Sequence, residues 1–475
     1  MNRVVVKFGG SVLRHPDDIS KILLALKKYN SNTIIVVSAF YGCTDFLLKS
    51  IQTDLSDSII TKIIDTLYKR TVSFYSPYVT NCRVHNKALL KLLKSLKDCL
   101  GLIKLHGNRT EYNNYVASFG ERLSSFALSL VLKNQGFDAV EALPEKFGLI
   151  TDGQPDNAKI NIPLSKRNIQ KNIKPDKIYI IPGFYGISKT ESITLLGRGG
   201  SDYSAAALAV CVNAKTLDLW KDVEGIHCID PAIIPNNFQI PTMTYSEAEE
   251  LSAFGAKIIH PSLIAPLAKR QIPIRLFGIN RVKNNMNGGT FITGGRQNNN
   301  RRMFGISTSN DFGIVSLSGN SLGNNPNFIG KVLNIIKSEK VNIKSMTTSC
   351  SNINLLLEIS SCKRVAENLK RRLIYRHVNI GVSKNFSVIA IVVDKLFKKN
   401  NWTGSIIGAL ESIKISPQFC VLDDNSNLSY VVVNKDDCNK VIKAIYNYLK
   451  TDLSQLDNRR KVRINRKIEN VIQLN

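Results

Sequence analysis

An α/β fold, with a mainly parallel sheet sandwiched by helices and then two small βαββαβ units, is what this sequence predicts. Three observations predict it. Up to about residue 295, short β-branched runs alternate with helical stretches. Those runs are apolar almost throughout, as strands covered on both faces of a parallel sheet must be. Beyond a break of loop composition at "TGGRQNNNRRM", residues 293–303, one strand–helix–strand–helix order occurs twice, at a spacing of about seventy residues.

The strands of the sheet are "NRVVVKFG" (2–9), "NTIIVVSAF" (32–40), "KIYIIPGFYG" (177–186), "AKTLDLWKDV" (214–223) and "PIRLFG" (273–278). Between Asp54 and Val116 the pattern turns helical and polar, which predicts a helical insertion. The first copy of the later unit runs "FGIVSLSG", "NFIGKVLNIIKSEKV", "INLLLEIS", "RVAENLKRRL". The second runs "FSVIAIVVD", "TGSIIGALESI", "LSYVVVN", "CNKVIKAIYNYLK". An extra strand, "MFGISTS" (303–309), precedes the first copy, so one unit is expected to thread through the other. The expected domains are residues 1–295, 303–383 and 384–450, with a basic tail at 451–475.

A chain of 475 residues exceeds what one core usually supports, and 43% hydrophobic with 21% charged residues is ordinary for a soluble globular protein. The longest apolar runs are far too short to cross a bilayer, and no leader precedes the first strand. No membrane partner and a cytoplasmic location are therefore expected. The nine cysteines form no Cys-x-x-Cys pair and the six histidines show no metal spacing, so free thiols and no protein-held metal are expected. The net charge of +27 invites a nucleic-acid reading. The lysines, however, are scattered among asparagines, and only "NRRKVRINRK" (458–467) is concentrated, as in a solvated tail. Nucleic acid is not an expected partner.

The chemistry centres on two glycine loops. "LGRGGSDYSAAALAV" (196–210) sets an arginine and three glycines before an alanine-rich helix that Ser201 or Asp202 caps. Helix-end amides, closely approachable glycine backbone and the planar fork of Arg198 make an anion cradle. Alone, the stretch reads equally well as a glycine turn into a core helix with Arg198 solvated. A second loop decides between them: "VVVKFGGSV" ends a strand at Lys7, where amides of Gly9, Gly10 and Ser11 can hold phosphate oxygens beside the Lys7 ammonium. Neither loop matches the dinucleotide or Lys-Ser/Thr phosphate-loop fingerprints. Ser38, Thr44 and Ser201 read in isolation as turn or capping hydroxyls, Glu121 as a first-turn helix acid, and His260 before Pro261 as a packed histidine.

These motifs, with "VVSAF" (36–40), "GCTDFLL" (42–48), "SFGERLSS" (118–125), "LWKDVEGIHCIDP" (219–231) and "FGAKIIHP" (254–261), resemble the aspartate kinases within the amino-acid kinase fold. The duplicated C-terminal unit resembles their tandem ferredoxin-like ACT regulatory domains. The resemblance implies ATP-dependent phosphorylation of the L-aspartate β-carboxylate, the first step toward lysine, threonine and methionine. It implies Lys7 as the cation on the transferring group, oriented by Asp202, and Arg198 on the substrate α-carboxylate. Glu121 then meets the α-ammonium, while Ser38, Thr44 and Ser201 give neutral hydrogen bonds. Gly9, Gly10, Ser11, Trp220, Lys221, Asp222, His227 and Lys257 lie along ATP, with Mg²⁺ held mainly through the nucleotide. An amino-acid effector at the ACT pair and a homodimer or higher homo-oligomer are implied too. No homoserine dehydrogenase segment is expected after the second unit.

The sequence departs from the family pattern at Val12, usually a hydroxyl residue, at Lys221, usually Ser or Thr, and at Ala232, usually arginine. Lys221 is near enough in sequence to compensate for that arginine. Lys344 and Cys350 stand where lysine-sensitive relatives carry acids, and "GNNPNF" (323–328) is one residue longer, so lysine inhibition is not expected. Two other readings stay open: a related kinase with another acceptor, and an ACT-bearing regulator that has lost turnover.

Overall fold

The computed structural model describes residues 3–29, 32–255, 259–282, 288–295, 304–373, 377–393, 402–423 and 426–451. The chain divides into two compact units, one of Met1–Ile226, Gln239–Glu249 and Lys257–Asn299, the other of His227–Phe238, Glu250–Ala256 and Asn300–Asn475.

The first unit holds ten strands: β1 (Val4–Phe8), β2 (Thr33–Val37), β3 (Ala139–Glu141), β4 (Ile178–Pro182), β5 (Tyr185–Ile187), β6 (Ile193–Leu195), β7 (Thr216–Lys221), β8 (Thr242–Thr244), β9 (Ile274–Gly278) and β10 (Thr290–Thr293). Eight of them form one sheet in the order β3-β4-β2-β1-β7-β9-β10-β8. Every pairing in it is parallel except β9 with β10. The central strands are buried along their whole length, which is why their sequences read as continuous apolar runs.

Helices α1 (Asp18–Leu26) and α2 (Cys43–Ser50) lead into the insertion, formed by α3 (Asp57–Tyr75) and α4 (Cys82–His106), and then into α5 (Thr110–Asn134). Ser56 caps α3 by accepting from the Ile59 amide, and Ile60, Ile63, Leu67, Thr71 and Phe74 fall on one buried face at helical spacing. Then come α6 (Pro144–Phe147), α7 (Ile162–Asn172), α8 (Gly200–Cys211), α9 (Tyr245–Ala253) and α10 (Pro261–Arg270). The run expected as one strand at 177–186 is broken: β4 stops at Pro182, and the small antiparallel hairpin of β5 with β6 starts at Tyr185. Phe184, at φ 72°, makes the break, because left-handed backbone cannot continue an extended ladder.

The second unit carries two four-stranded sheets. The first copy is β12 (Phe312–Ser318), α11 (Pro326–Ser338), β13 (Ser345–Thr348), β14 (Asn352–Glu358), α12 (Ile359–Arg372) and β15 (Asn379–Ser383), in the sheet order β13-β14-β12-β15. The second is β16 (Phe386–Val393), α13 (Trp402–Ser412), β17 (Phe419–Val421), β18 (Leu428–Asn434) and a helix at 438–451. Its fourth strand is β11 (Phe304–Ser309), which pairs antiparallel with β16 from Phe304↔Val393 to Ser309↔Val388. The strand before the first copy thus completes the second, and the units are threaded. Ile314, Leu356, Val388 and Tyr430 share a core where the two sheets meet, and the Ser345 and Tyr430 hydroxyls hydrogen-bond across it.

Candidate active site

The site follows from strand register. In the parallel pair β1/β7, Lys7 lies beside Leu219 and Phe8 beside Trp220. Side chains alternate along a strand, so Lys7, Leu219 and Lys221 share one sheet face while Phe8, Asp218 and Trp220 share the other. Helix α8 packs against the Lys7 face and brings Asp202, in its first turn, between the two lysines. Lys7 Nζ is 2.6 Å from Asp202 Oδ1, and Lys221 Nζ is 3.2 Å from Asp202 Oδ2. Burial alone raises the Asp202 pKa, but Lys221 and Lys7 outweigh it and hold the carboxyl well below its ordinary range. Burial lowers the Lys7 pKa and Lys221 lowers it further, against the attraction of Asp202.

The carboxyl ends of β1, β2 and β4 stop side by side: the Ser38 amide donates to the Phe8 carbonyl and the Gly183 amide to the Val37 carbonyl. A cavity of about 420 Å³ opens there, lined by Lys7, Ser38, Arg198, Ser201 and Asp202 among others. The Arg198 glycine loop and the Lys7 end of β1 therefore converge on one space, where ligands of parallel sheets gather. Arg198 is exposed and makes no hydrogen bond or ion pair with the described residues. Gly183 allows the close approach, since a Cβ there would stand 2.8 Å from the Ser201 Cβ.

Glu121 stands one layer back. Its Oε1 accepts from Ser201 Oγ at 3.3 Å, its Oε2 is buried without a hydrogen bond, and burial pushes its pKa up to about 8. Thr44, on α2, packs against α5 at the neighbouring Gly120, its Oγ1 3.0 Å from where a Cβ there would stand. Neither lines the cavity. Gly9, Gly10 and Ser11 also sit outside the lining, just beyond Lys7: the Gly9 amide donates to the Trp220 carbonyl at 3.2 Å. Val12 is buried in the main core, which accounts for an apolar residue there.

The residues read as the ATP side are dispersed. Trp220 is buried on the opposite face from Lys7, donates from Nε1 to Tyr29 Oη at 3.0 Å, and borders a second, small cavity with Phe277 and Gly278. Asp222 pairs on the surface with Arg14 at 3.3 Å. His227 falls in the second unit, and Lys257 and the basic stretch at 458–467 lie outside the described residues. Lys221 engages Asp202, so its ammonium is directed to the Lys7 cluster.

Sequence reasoning missed the lining residues Asp156, Phe184 and Leu195. The only local trace of Phe184 was its place between Pro182-Gly183 and Tyr185-Gly186. It left His260 outside the site. The ring is packed, as expected, but against the Arg198 loop: a Cβ on Gly199 would lie 2.3 Å from it. His260 also caps α10 through Ser262.

The chain is 26% identical to the bifunctional aspartokinase/homoserine dehydrogenase of Buchnera aphidicola, across 94% of this chain and 56% of that protein. It thus spans about half the length of such relatives. It is 24% identical to the aspartokinase of Saccharomyces cerevisiae, across 100% of this chain and 97% of that one. Its fold matches that of E. coli aspartokinase III in complex with aspartate and ADP, with a TM-score of 0.81 at 21% identity, covering 94% of this chain and 100% of the other. The model of the amino acid kinase family matches residues 2–278, and with more than half its length so covered, the chain belongs to that family.

Proposed function

We propose that this chain is an aspartate kinase, transferring the terminal phosphoryl group of ATP to the β-carboxylate of L-aspartate to give 4-phospho-L-aspartate and ADP. The observation that carries the proposal is the shared cavity, with Lys7 and Arg198 both in its lining. A side-chain carboxylate of pKa about 3.9 is already ionised at neutral pH, so the acceptor needs no general base. The barrier lies in bringing two anions together in line, and positive charge plus positioning lowers it.

Lys7 neutralises charge on the transferring group, held in place by Asp202. Arg198, unengaged among the described residues, forks onto the α-carboxylate. The orphaned Oε2 of Glu121 takes the α-ammonium through a side-chain shift at Ser201, and the incoming cation ionises it. Ser38 and Ser201 complete the hydrogen bonding. Glycine amides at 9–11, together with Trp220, Asp222, His227 and Lys257, are assigned to ATP by resemblance.

Magnesium enters with the nucleotide. The described residues offer no group of three His, Cys, Asp or Glu side chains to cage a metal, and Asp202 is already taken by two lysines. We assign residues 1–295 to catalysis and the segments 303–383 and 384–450, whose sheets are threaded through β11, to feedback control by an amino acid, in a homodimer or larger assembly in the cytoplasm. No helix among the described residues is long and apolar enough to cross a membrane.

The test is ADP release by the purified chain with Mg-ATP across a panel of carboxylate acceptors, with hydroxylamine trapping of the acyl phosphate. Aspartate-dependent release with a trapped hydroxamate is expected. Release with another acceptor only, or none at all, overturns the assignment.

A further inference from the structure

Lys7, Lys221 and Asp202 form a buried cluster in which two lysines meet one aspartate. Their side chains are 6%, 14% and 8% exposed, so water screens them little. Two ammonium groups thus share the two oxygens of one carboxylate. A further acid acting on Lys7 is Glu121 of α5, whose own pKa burial pushes up to about 8. Of the two lysines, only Lys7 lines the cavity.

We propose that Lys221 is a positioning residue for Lys7: by taking the second oxygen of Asp202, it holds that carboxylate in a fixed orientation and frees the Lys7 ammonium to bind a phosphoryl anion. In a lone Lys7–Asp202 pair the carboxylate would neutralise the catalytic ammonium and compete with the nucleotide for it. Lys221 divides the carboxylate, so the Lys7 ammonium keeps donor capacity for an anion in the cavity. Its place two residues beyond Leu219 on β7, on the same sheet face as Lys7, makes the sharing possible. This rests on the phosphoryl-transfer reading of the site and adds a residue type that the family pattern does not supply.

The test compares the full-length chain with Lys221→Met and Lys221→Arg. Calorimetry with Mg-ADP should show roughly tenfold weaker binding in Lys221→Met, the scale of one charge-assisted contact, with Lys221→Arg largely restored. In turnover, KM for ATP should rise while KM for aspartate stays within about twofold. The basic limb of the pH profile should move to higher pH, because Lys7 loses a like-charged neighbour on β7 and keeps Asp202 of α8 and Glu121 of α5. A folded Lys221→Met, or a folded Lys221→Arg should methionine fail to fold, tests the idea. In Lys221→Met, unchanged ADP affinity and an unmoved limb overturn it. If only the arginine variant folds, failure of that variant to hold ADP near the original affinity overturns it instead. Absence of ADP binding by the unaltered chain overturns the nucleotide reading itself, so the two failures are distinct.

Discussion

The imidazole of His260 occupies the space that a side chain on Gly199 would need, with ring and Cβ atoms 2.3 to 2.7 Å from an added Cβ. Gly199 also stands at φ 71°, in the left-handed region. The loop carrying Arg198 is thereby clamped between α8 and the cap of α10. Gly199→Ala should destabilise the protein by about 1–3 kcal/mol, measured by urea unfolding. Combining it with His260→Ala should cost less than the sum of the two, since the second change opens room for the first.

Lys7→Met leaves Asp202 paired with Lys221, so the buried acid keeps a counter-ion. Turnover should fall on the order of 10³-fold, as when a charge-stabilising donor is removed elsewhere. The melting temperature should change far less than for Asp202→Asn, which takes the carboxylate from the buried Lys7 ammonium and should cost about 3–5 kcal/mol. Single-turnover ADP release and thermal unfolding of both variants check this pair.

Glu121 gives a pH dependence of definite sign. Its carboxyl ionises at about 8 in the folded chain against 4.5 ordinarily, burial being the cause. Between those values the folded state binds the extra proton, so this group's contribution to stability falls as pH rises through the window and levels off above about 8. Glu121→Gln should remove that fall, so its stability relative to the unaltered chain should be higher at pH 9 than at pH 5. Aspartate binding at pH 7 should release a proton in the unaltered chain and none from this position in the variant. Calorimetry in buffers of different ionisation enthalpy reads it directly.

Lysine should be a poor inhibitor. Lys344 places its ammonium 6.0 Å from the Phe312 ring, next to β13, and Cys350 is exposed where an acid would be needed to read a cationic effector. Activity titrated with lysine should persist through the sub-millimolar range. Half-maximal inhibition below one millimolar would contradict this, and threonine in parallel tests the neutral alternative.

Much of the sheet was legible because parallel strands buried on both faces cannot hide their composition. The three-residue strands β3 and β8 were not, being too short to show a pattern. The exchange of β11 into the second copy was only hinted at, since pairing Ser309 with Val388 is a matter of tertiary contact. In the site, Lys7 and Arg198 were marked by their glycines. Asp156 carried no such mark, and Phe184, though beside Gly183, has no polar group to single it out. The Lys221–Asp202 contact needed the register of β1 against β7, which composition does not reveal.

On the reverse side of β7, Asp218 is fully buried and accepts from Tyr29 Oη at 2.8 Å and Arg275 Nε at 2.7 Å, while Tyr29 also accepts from Trp220. A slip of β7 by one residue would turn Asp218 toward α8 and send Lys221 into the core. The tyrosine and arginine therefore act as an alignment key for chemistry they never touch. Residues 29, 218 and 275 are free to drift only as a set, and damage to any one of them should surface as a catalytic defect on the opposite side of the sheet.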